Sequence, residues 1–342
     1  MKRLFHKSRL YPLVLILVVF VVWKYRESKK PQLILLQGTT MGPIKYTVKY
    51  LSSSGENFQP QIDSLLETFN QSLNHYRSGS EVSKFNTDSV FVFVSPYFLP
   101  VLQKSREVFE ITNGAFDPTV GPLVNAWGFG PGMKITLDSA MVDSLRQLVY
   151  FQNIEFDKTK VWKKKKNIQL DFSAIAKGQG VDVVFEFLIS RGLENIFVEI
   201  GGEVRCAGKN ENGEYWKIGI IDPANDPAQE PLYGTVSLEN KSMATSGNYY
   251  NFIDEGGQRI VHTINPATGY SITSNLLSAT VIASDCMTAD AFATAFMVLG
   301  LEKSISIVEN NSELETILIF SNPDGTLAHY HSKGVKGIFV KF

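Results

Sequence analysis

The sequence predicts an α+β fold with mixed, largely antiparallel sheets and packed helices, preceded by one N-terminal hydrophobic helix. Three observations carry that prediction. From about Pro31 onward, short β-like runs alternate with amphipathic helical stretches. Several of those runs lie too close together for helical crossovers, which requires antiparallel pairing. No fixed-period repeat or low-complexity tract points to a solenoid. The composition agrees: 342 residues, 44% hydrophobic and 20% charged, with 33 Lys plus Arg against 34 Asp plus Glu and a net charge of -1. These values describe a folded globular chain and argue against disorder or a polytopic membrane protein. Near-neutral charge without a basic stripe argues against nucleic-acid binding. The two cysteines, Cys206 and Cys286, have no zinc-ribbon spacing and allow at most one disulfide.

The elements follow in order. Lys2, Arg3, Lys7 and Arg9 precede an apolar run from Leu10 to Trp23, and Lys24, Arg26, Lys29 and Lys30 follow it. No small-residue cleavage site follows the run, and Trp23 and Tyr25 suit a membrane interface, so residues 1–30 read as a signal anchor. A buried N-terminal helix is the alternative. No nearby cysteine offers a lipid attachment point. Residues 31–342 read as one domain. A strand is expected over Lys45–Leu51, then a helix with Ile62, Leu65, Leu66, Phe69 and Leu73 at helical spacing, ending near His75 in a polar loop. Ser95 and Pro96 read as N-cap and first position of a helix that stops at Asn113 and Gly114. A helix is expected from Asp138 to about Val149, and strands near Glu155 and over Ile168–Phe172, with Lys163–Lys166 as a solvated turn between them. Strands follow at Ile196–Ile200, Trp216–Ile221, Tyr233–Leu238 and Ser278–Ala283, with a surface loop at Pro223 and Pro227. A helix over Thr288–Leu299 ends at Gly300, and another follows.

Common nucleotide, metalloprotease and hydrolase signatures are missing from the sequence, so a site must be built from other parts. In DFSAIAKGQGVD, Asp171–Asp182, a strand enters a helix that Ser173 could cap. Lys177 and the small residues Ala174, Ala176, Gly178 and Gly180 would admit a phosphate; a close strand-to-helix packing corner explains the same string. Asp290 and Thr294, four apart on a helix, could share a hard cation, or simply hydrogen-bond each other. Their apolar setting, Ala289 to Phe296, makes an uncompensated carboxylate costly. The loop Gly114–Gly130 presents Phe116, Trp127 and Phe129, either to a ring system or as a lid over the core. Met243–Phe252 and His262–Tyr270 contain His262, one of five histidines and a candidate general base.

Together these segments resemble the ApbE family of flavin transferases, FAD:protein FMN transferases, in the order that family presents them. The match runs through Thr39-Thr40-Met41-Gly42, Leu73-Asn74-His75-Tyr76-Arg77 with Ser80-Glu81-Val82-Ser83, and Gly114-Ala115-Phe116-Asp117-Pro118-Thr119-Val120-Gly121-Pro122. It continues through Asp171-Phe172-Ser173-Ala174-Ile175-Ala176-Lys177-Gly178, Ile200-Gly201-Gly202-Glu203, His262-Thr263-Ile264-Asn265-Pro266 with Thr268-Gly269, and Ala289-Asp290-Ala291 with Thr294. The resemblance implies Mg²⁺, or Mn²⁺, held by Asp290, Thr294 and a backbone oxygen of Ala174. It implies FAD contacts from Met41, Tyr76, Ala115, Phe116, Asp117, Asp171, Lys177 and Ile264. It further implies transfer of FMN from FAD to a Thr or Ser hydroxyl of a target redox subunit, with AMP released and His262, or else Asp171, as base. FAD hydrolysis to FMN and AMP, or flavin storage without turnover, are the competing functions. The expected location is a bacterial inner membrane with the catalytic domain on the periplasmic side. Two departures stand out: a protein anchor replaces the lipid frequent in exported relatives, and Tyr250 stands where many relatives carry arginine.

Overall fold

A computed structural model describes residues 11–12, 14–21, 31–131, 135–225, 229, 231–248, 252–255 and 258–342, and for 252–255 and 258–260 the backbone path alone. The chain runs β1 (Gln32–Thr40), β2 (Ile44–Ser52), α1 (Gln59–Leu73), α2 (Glu81–Thr87), β3 (Val90–Val92), α3 (Phe98–Ile111), α4 (Gly121–Trp127) and α5 (Ser139–Arg146). Then come β4 (Ile154–Phe156), β5 (Lys160–Lys163), α6 (Ala176–Ser190), β6 (Ile196–Ile200), β7 (Glu203–Ala207), β8 (Trp216–Ile221), β9 (Leu232–Leu238) and β10 (Ser242–Gly247). The remainder is β11 (Phe252–Glu255), β12 (Gln258–Val261), β13 (Leu276–Ala283), α7 (Cys286–Leu299), α8 (Leu301–Glu309), β14 (Glu315–Ser321), β15 (Leu327–His331) and β16 (Phe339–Lys341). The α+β class is as expected.

The main sheet has eight strands in the order β1-β2-β6-β7-β10-β13-β14-β15, and every neighbouring pair is antiparallel. Helix α7 is buried nearly all round, which its Ala289, Ala291, Phe292, Ala293, Ala295 and Phe296 permit. It packs on β10 and β13 and against α6 and α3. Each large side chain it buries, Phe292 and Phe296 among them, contributes about 1.5–3 kcal/mol. A second apolar cluster joins α1 and α6 to β2 and β6 through Ile62, Leu66, Val181, Val184 and Val198. A third holds the small sheet β16-β9-β8 against the main one through Cys206, Met243, Val236 and Ile317. Cys206 and Cys286 are free thiols, both buried, so the possible disulfide does not form.

Several expected elements shift. Helix α3 starts at Phe98, with Tyr97 in the capping position; Ser95 is instead engaged by Glu81, whose Oε1 accepts the Ser95 N–H at 3.1 Å. Ile168–Phe172 forms no strand. Leu170 N–H donates to Asn86 Oδ1 and Asp171 N–H to the Pro118 carbonyl, each at 2.7 Å, so loop groups replace a ladder partner. Lys163 ends β5, half-buried over the Phe85 ring, while Lys164–Lys166 are exposed in the turn that follows it, as expected. The polar loop after α1 contains the short helix α2, capped by Ser80. The irregular loop contains α4, with Pro122 in its first turn and Gly128 at φ 87 ending it. Helices α5 and α7 begin behind Asp138 and Asp285, whose carboxylates accept Met141 N–H and Thr288 N–H.

Most of the expected anchor, and Tyr250, lie outside the described residues. Residues 11–12 and 14–21 are helical and exposed, and no described helix is long and apolar enough to cross a membrane.

Candidate active site

A cleft of about 1130 Å³ opens where the ends of β1, β6 and β10 meet the first turn of α6 and the face of α7. Met41, Tyr76, Ala115, Phe116, Asp117, Asp171, Ala174, Lys177, His262, Ile264, Asp290 and Thr294 all line it. The structure thus assembles residues scattered over the chain into one wall, and the volume suits a dinucleotide-sized ligand.

The first turn of α6 is built unusually. Ser173 does not cap the helix; Ile175 holds that position without a side-chain hydrogen bond, and Ser173 N–H donates to Asp171 Oδ1 at 2.8 Å. Gly178 N–H, one of the first-turn donors that a helix leaves without an intrahelical partner, donates to Asp290 Oδ2 at 2.9 Å. Among the described residues no backbone N–H reaches the Ala174 carbonyl, so it is available to the cleft. Gly178 makes the approach possible: a Cβ there would lie 2.3 Å from the Cys286 carbonyl oxygen and 2.8 Å from Asp290 Cβ. Thr294 lies one turn beyond Asp290 on α7, 3.1 Å from Ser246 Oγ on β10.

Lys177 joins the two acids of this corner. Its Nζ pairs with Glu203 and lies 3.8 Å from Asp290 Oδ1. Burial alone would lower the lysine pKa, but Asp290 and Glu203 raise it above the ordinary value, so it stays charged. Burial pushes Glu203 up to about 8; Lys177 opposes the shift and Asp290 adds to it. Burial also raises Asp290, against the pull of Lys177 and Gly178 N–H. Glu203 Oε2 is buried with no hydrogen-bond partner among the described residues. Two buried acids thus share one lysine.

No group of three or more His, Cys, Asp or Glu side chains suited to a metal occurs among the described residues. The donors present still fit Mg²⁺. One carboxylate, one hydroxyl and one unspent carbonyl are hard oxygens, and this ion keeps water and substrate phosphates in its remaining positions. Asp290, Thr294 and Ala174 would hold it.

The rest of the cleft lining includes Met41, Tyr76, Phe116, Asp117, Phe129 and His262. Met41, at φ 50 in the β1–β2 turn, packs where Gly180 leaves room: a Cβ on that glycine would lie 2.9 Å from Met41 Cε. Tyr76 O–H donates to the Phe129 carbonyl at 3.0 Å, linking two loops across the cleft. Asp117 accepts Thr119 N–H at 2.8 Å, Thr119 O–H at 2.6 Å and Phe151 N–H at 3.1 Å. Despite these bonds, burial pushes its pKa up to about 6. His262 presents its ring edge-on to Phe129, with centroids 6.4 Å apart. Glu203, Ser246 and His75 also line the cleft, and sequence reasoning assigned them no role. Glu203 and His75 sit inside matched strings, which was the available signal.

Known proteins match this arrangement. The ApbE family matches residues 41–318. The FAD:protein FMN transferase of Vibrio cholerae serotype O1 is 36% identical over 322 residues, covering 92% of this chain and 95% of that protein. The one from Haemophilus influenzae is 36% identical, covering 87% and 89%. Among solved structures, the flavin transferase ApbE from Vibrio cholerae superposes with a TM-score of 0.82, covering 90% of this chain and 99% of that one. The apo form of the Pseudomonas stutzeri flavinyl transferase ApbE gives a TM-score of 0.80 at 30% identity, covering 91% and 98%. Agreement in sequence over nearly the whole chain, in fold and in the segments that converge on one cleft makes this protein a member of the ApbE family.

Proposed function

We propose that this chain is a transferase that moves FMN from FAD to a Thr or Ser hydroxyl of a target redox protein and releases AMP. The observation that carries the reading is the corner where the unspent Ala174 carbonyl, Asp290 and Thr294 converge beside Lys177. It suits a dinucleotide's diphosphate, and the relatives named FAD:protein FMN transferase support flavin as the cargo.

In the proposed reaction His262 takes the proton of the acceptor hydroxyl, whose oxygen attacks the FMN phosphorus. The bond to the bridging oxygen breaks and AMP leaves with its electron pair. Lys177 offsets charge that builds on the phosphoryl oxygens. Asp171 is the second candidate for the base. Bound Mg²⁺ would supply polarisation of a phosphoryl oxygen. Met41, Tyr76 and Phe116 exclude water and hold the ring systems. Residues 1–30 anchor the protein to a bacterial inner membrane, with residues 31–342 as the catalytic domain on the periplasmic side. The exposed helical residues 14–21, apolar throughout, support an apolar partner for this stretch.

Purified protein given FAD, Mg²⁺ and a threonine-bearing acceptor domain is expected to yield in-gel flavin fluorescence, an added FMN mass and one AMP per label. AMP without labelled acceptor would replace transfer with hydrolysis; bound FAD without AMP would replace it with storage.

A further inference from the structure

The cleft wall beside Asp171 carries a polar group that the transfer reading leaves unused. His75 is 9% exposed, and its Nε2 is buried with no hydrogen-bond partner among the described residues. Burying a ring nitrogen without a partner is unfavourable, which marks His75 as a residue kept for its other contacts. Its other nitrogen, Nδ1, lies 3.6 Å from Asp171 Oδ1. That oxygen also accepts Ser173 N–H at 2.8 Å, while the Asp171 backbone is pinned to the Pro118 carbonyl at 2.7 Å. The contacts of this carboxylate among the described residues thus fall on Oδ1. The residue is itself held: its ring lies against Tyr76 with centroids 4.3 Å apart, and its backbone carbonyl accepts Ser83 O–H at 3.2 Å. His75 and Asp171 are shared between the main cleft and a second cavity of about 280 Å³, so the pair forms part of the partition between the two.

A carboxylate in a cleft that takes a diphosphate is tolerated where it meets a hydrogen-bond donor of the ligand. On the reading of this cleft as the FAD site, we propose that His75 is a positioning residue for Asp171. Nδ1 secures Oδ1 and so turns Oδ2 toward the dinucleotide, where it accepts from an N–H or O–H of the ligand. His75 acts through Asp171 on ground-state recognition and takes no part in bond making.

The test is FAD binding by the full chain, read as quenching of flavin fluorescence, together with transfer kinetics. His75→Ala is expected to raise both Kd and KM for FAD about tenfold and to leave kcat within about twofold. His75→Asn, whose amide nitrogen occupies the place of Nδ1, should stay within about threefold of the parent. Asp171→Asn should lose about as much as His75→Ala, and the double variant should be no weaker than Asp171→Asn alone. Parallel titrations with FMN and with ADP show which half of the dinucleotide supplies the donor, through the half whose affinity falls. Unchanged affinity in His75→Ala, losses that multiply in the double variant, or an Asn variant as weak as Ala would each overturn the proposal. A parent protein that binds no FAD overturns the functional reading with it, whereas a parent that binds FAD while His75→Ala binds equally well overturns this inference alone.

Discussion

At the scale of single residues, the site turns on where one N–H goes. Gly178 N–H, a first-turn donor of α6, holds the buried Asp290 carboxylate, which shares Lys177 with Glu203. The Ala174 carbonyl just ahead of the helix takes no backbone donor among the described residues. Asp290→Asn keeps a side-chain oxygen for that N–H and cancels the charge. The expected result is an unchanged or higher melting temperature with turnover down by at least ~100-fold, more than the loss usual for outer partners of a metal. Turnover near the parent level would remove Asp290 from the reaction. Asp117 makes a pH prediction. Its folded pKa is about 6 against the ordinary 3.8, because burial penalises the charge. Between those values the folded chain holds a proton that the unfolded chain has released, so this group's contribution to stability falls as pH rises from about 4 to 6 and is flat above. Asp117→Asn removes the titrating group and with it this pH dependence. The stability of the parent relative to the variant should therefore fall by about 1–3 kcal/mol from pH 4 to 7 in urea unfolding. At this scale the sequence was legible where spacing along one helix decides geometry, as for Asp290 and Thr294. It was silent where partners are distant in the chain, as for Ser246 against Thr294 or His75 against Asp171.

At the scale of elements, the joint between α6 and α7 sets the corner. Asp182 on α6 accepts Cys286 N–H at 2.9 Å and Met287 N–H at 2.8 Å at the start of α7, and pairs with Arg205 of β7 at 2.8 Å. One carboxylate thus ties two helices and a strand together, and sets α7 so that Asp290 meets Gly178. Asp182→Ala leaves two helix N–H groups unmet and takes one of two carboxylate partners from Arg205, which keeps Glu186 at 2.8 Å, and is expected to cost about 2–4 kcal/mol by denaturant titration. Gly178→Ala should separate the two helices. Its Cβ has backbone in its way, so a lower melting temperature and loss of transfer are expected together, and a stable, active variant would contradict the geometry. Helices with a single apolar face were readable to within a few residues. Helix α7 begins at Cys286, ahead of the expected Thr288, because Asp285 in the preceding loop supplies the cap by accepting Thr288 N–H. Ile168–Phe172 carries a strand-like pattern yet finds only loop groups to pair with, which local sequence does not encode. Strands β7 and β10 were missed as well: β7 folds straight back on β6 through Gly201–Gly202, and β10 is placed by pairing with β7 and with β13.

At the scale of the whole molecule, the eight-stranded sheet and its buried helix form a frame on which segments from Met41 to Thr294 reach one cleft. The order of short motifs made the family resemblance visible, while the strand order of the sheet was not readable. Removing residues 1–30 is expected to move the protein from the membrane to the soluble fraction with kcat and KM for FAD within about twofold of the full chain; a truncated protein that still sediments with membranes would place the anchor elsewhere. The two cysteines carry a last consequence. Cys206 is buried under the small sheet and Cys286 at the start of α7, in separate apolar clusters, and both thiols are unpaired. Burial pushes the Cys206 thiol up to about 12 and raises Cys286 well above its ordinary value, so neither offers a thiolate to an oxidant. The architecture is therefore indifferent to redox poise: melting curves recorded with dithiothreitol and with oxidised glutathione should superimpose, and the chain can mature on either side of a bilayer without an isomerase.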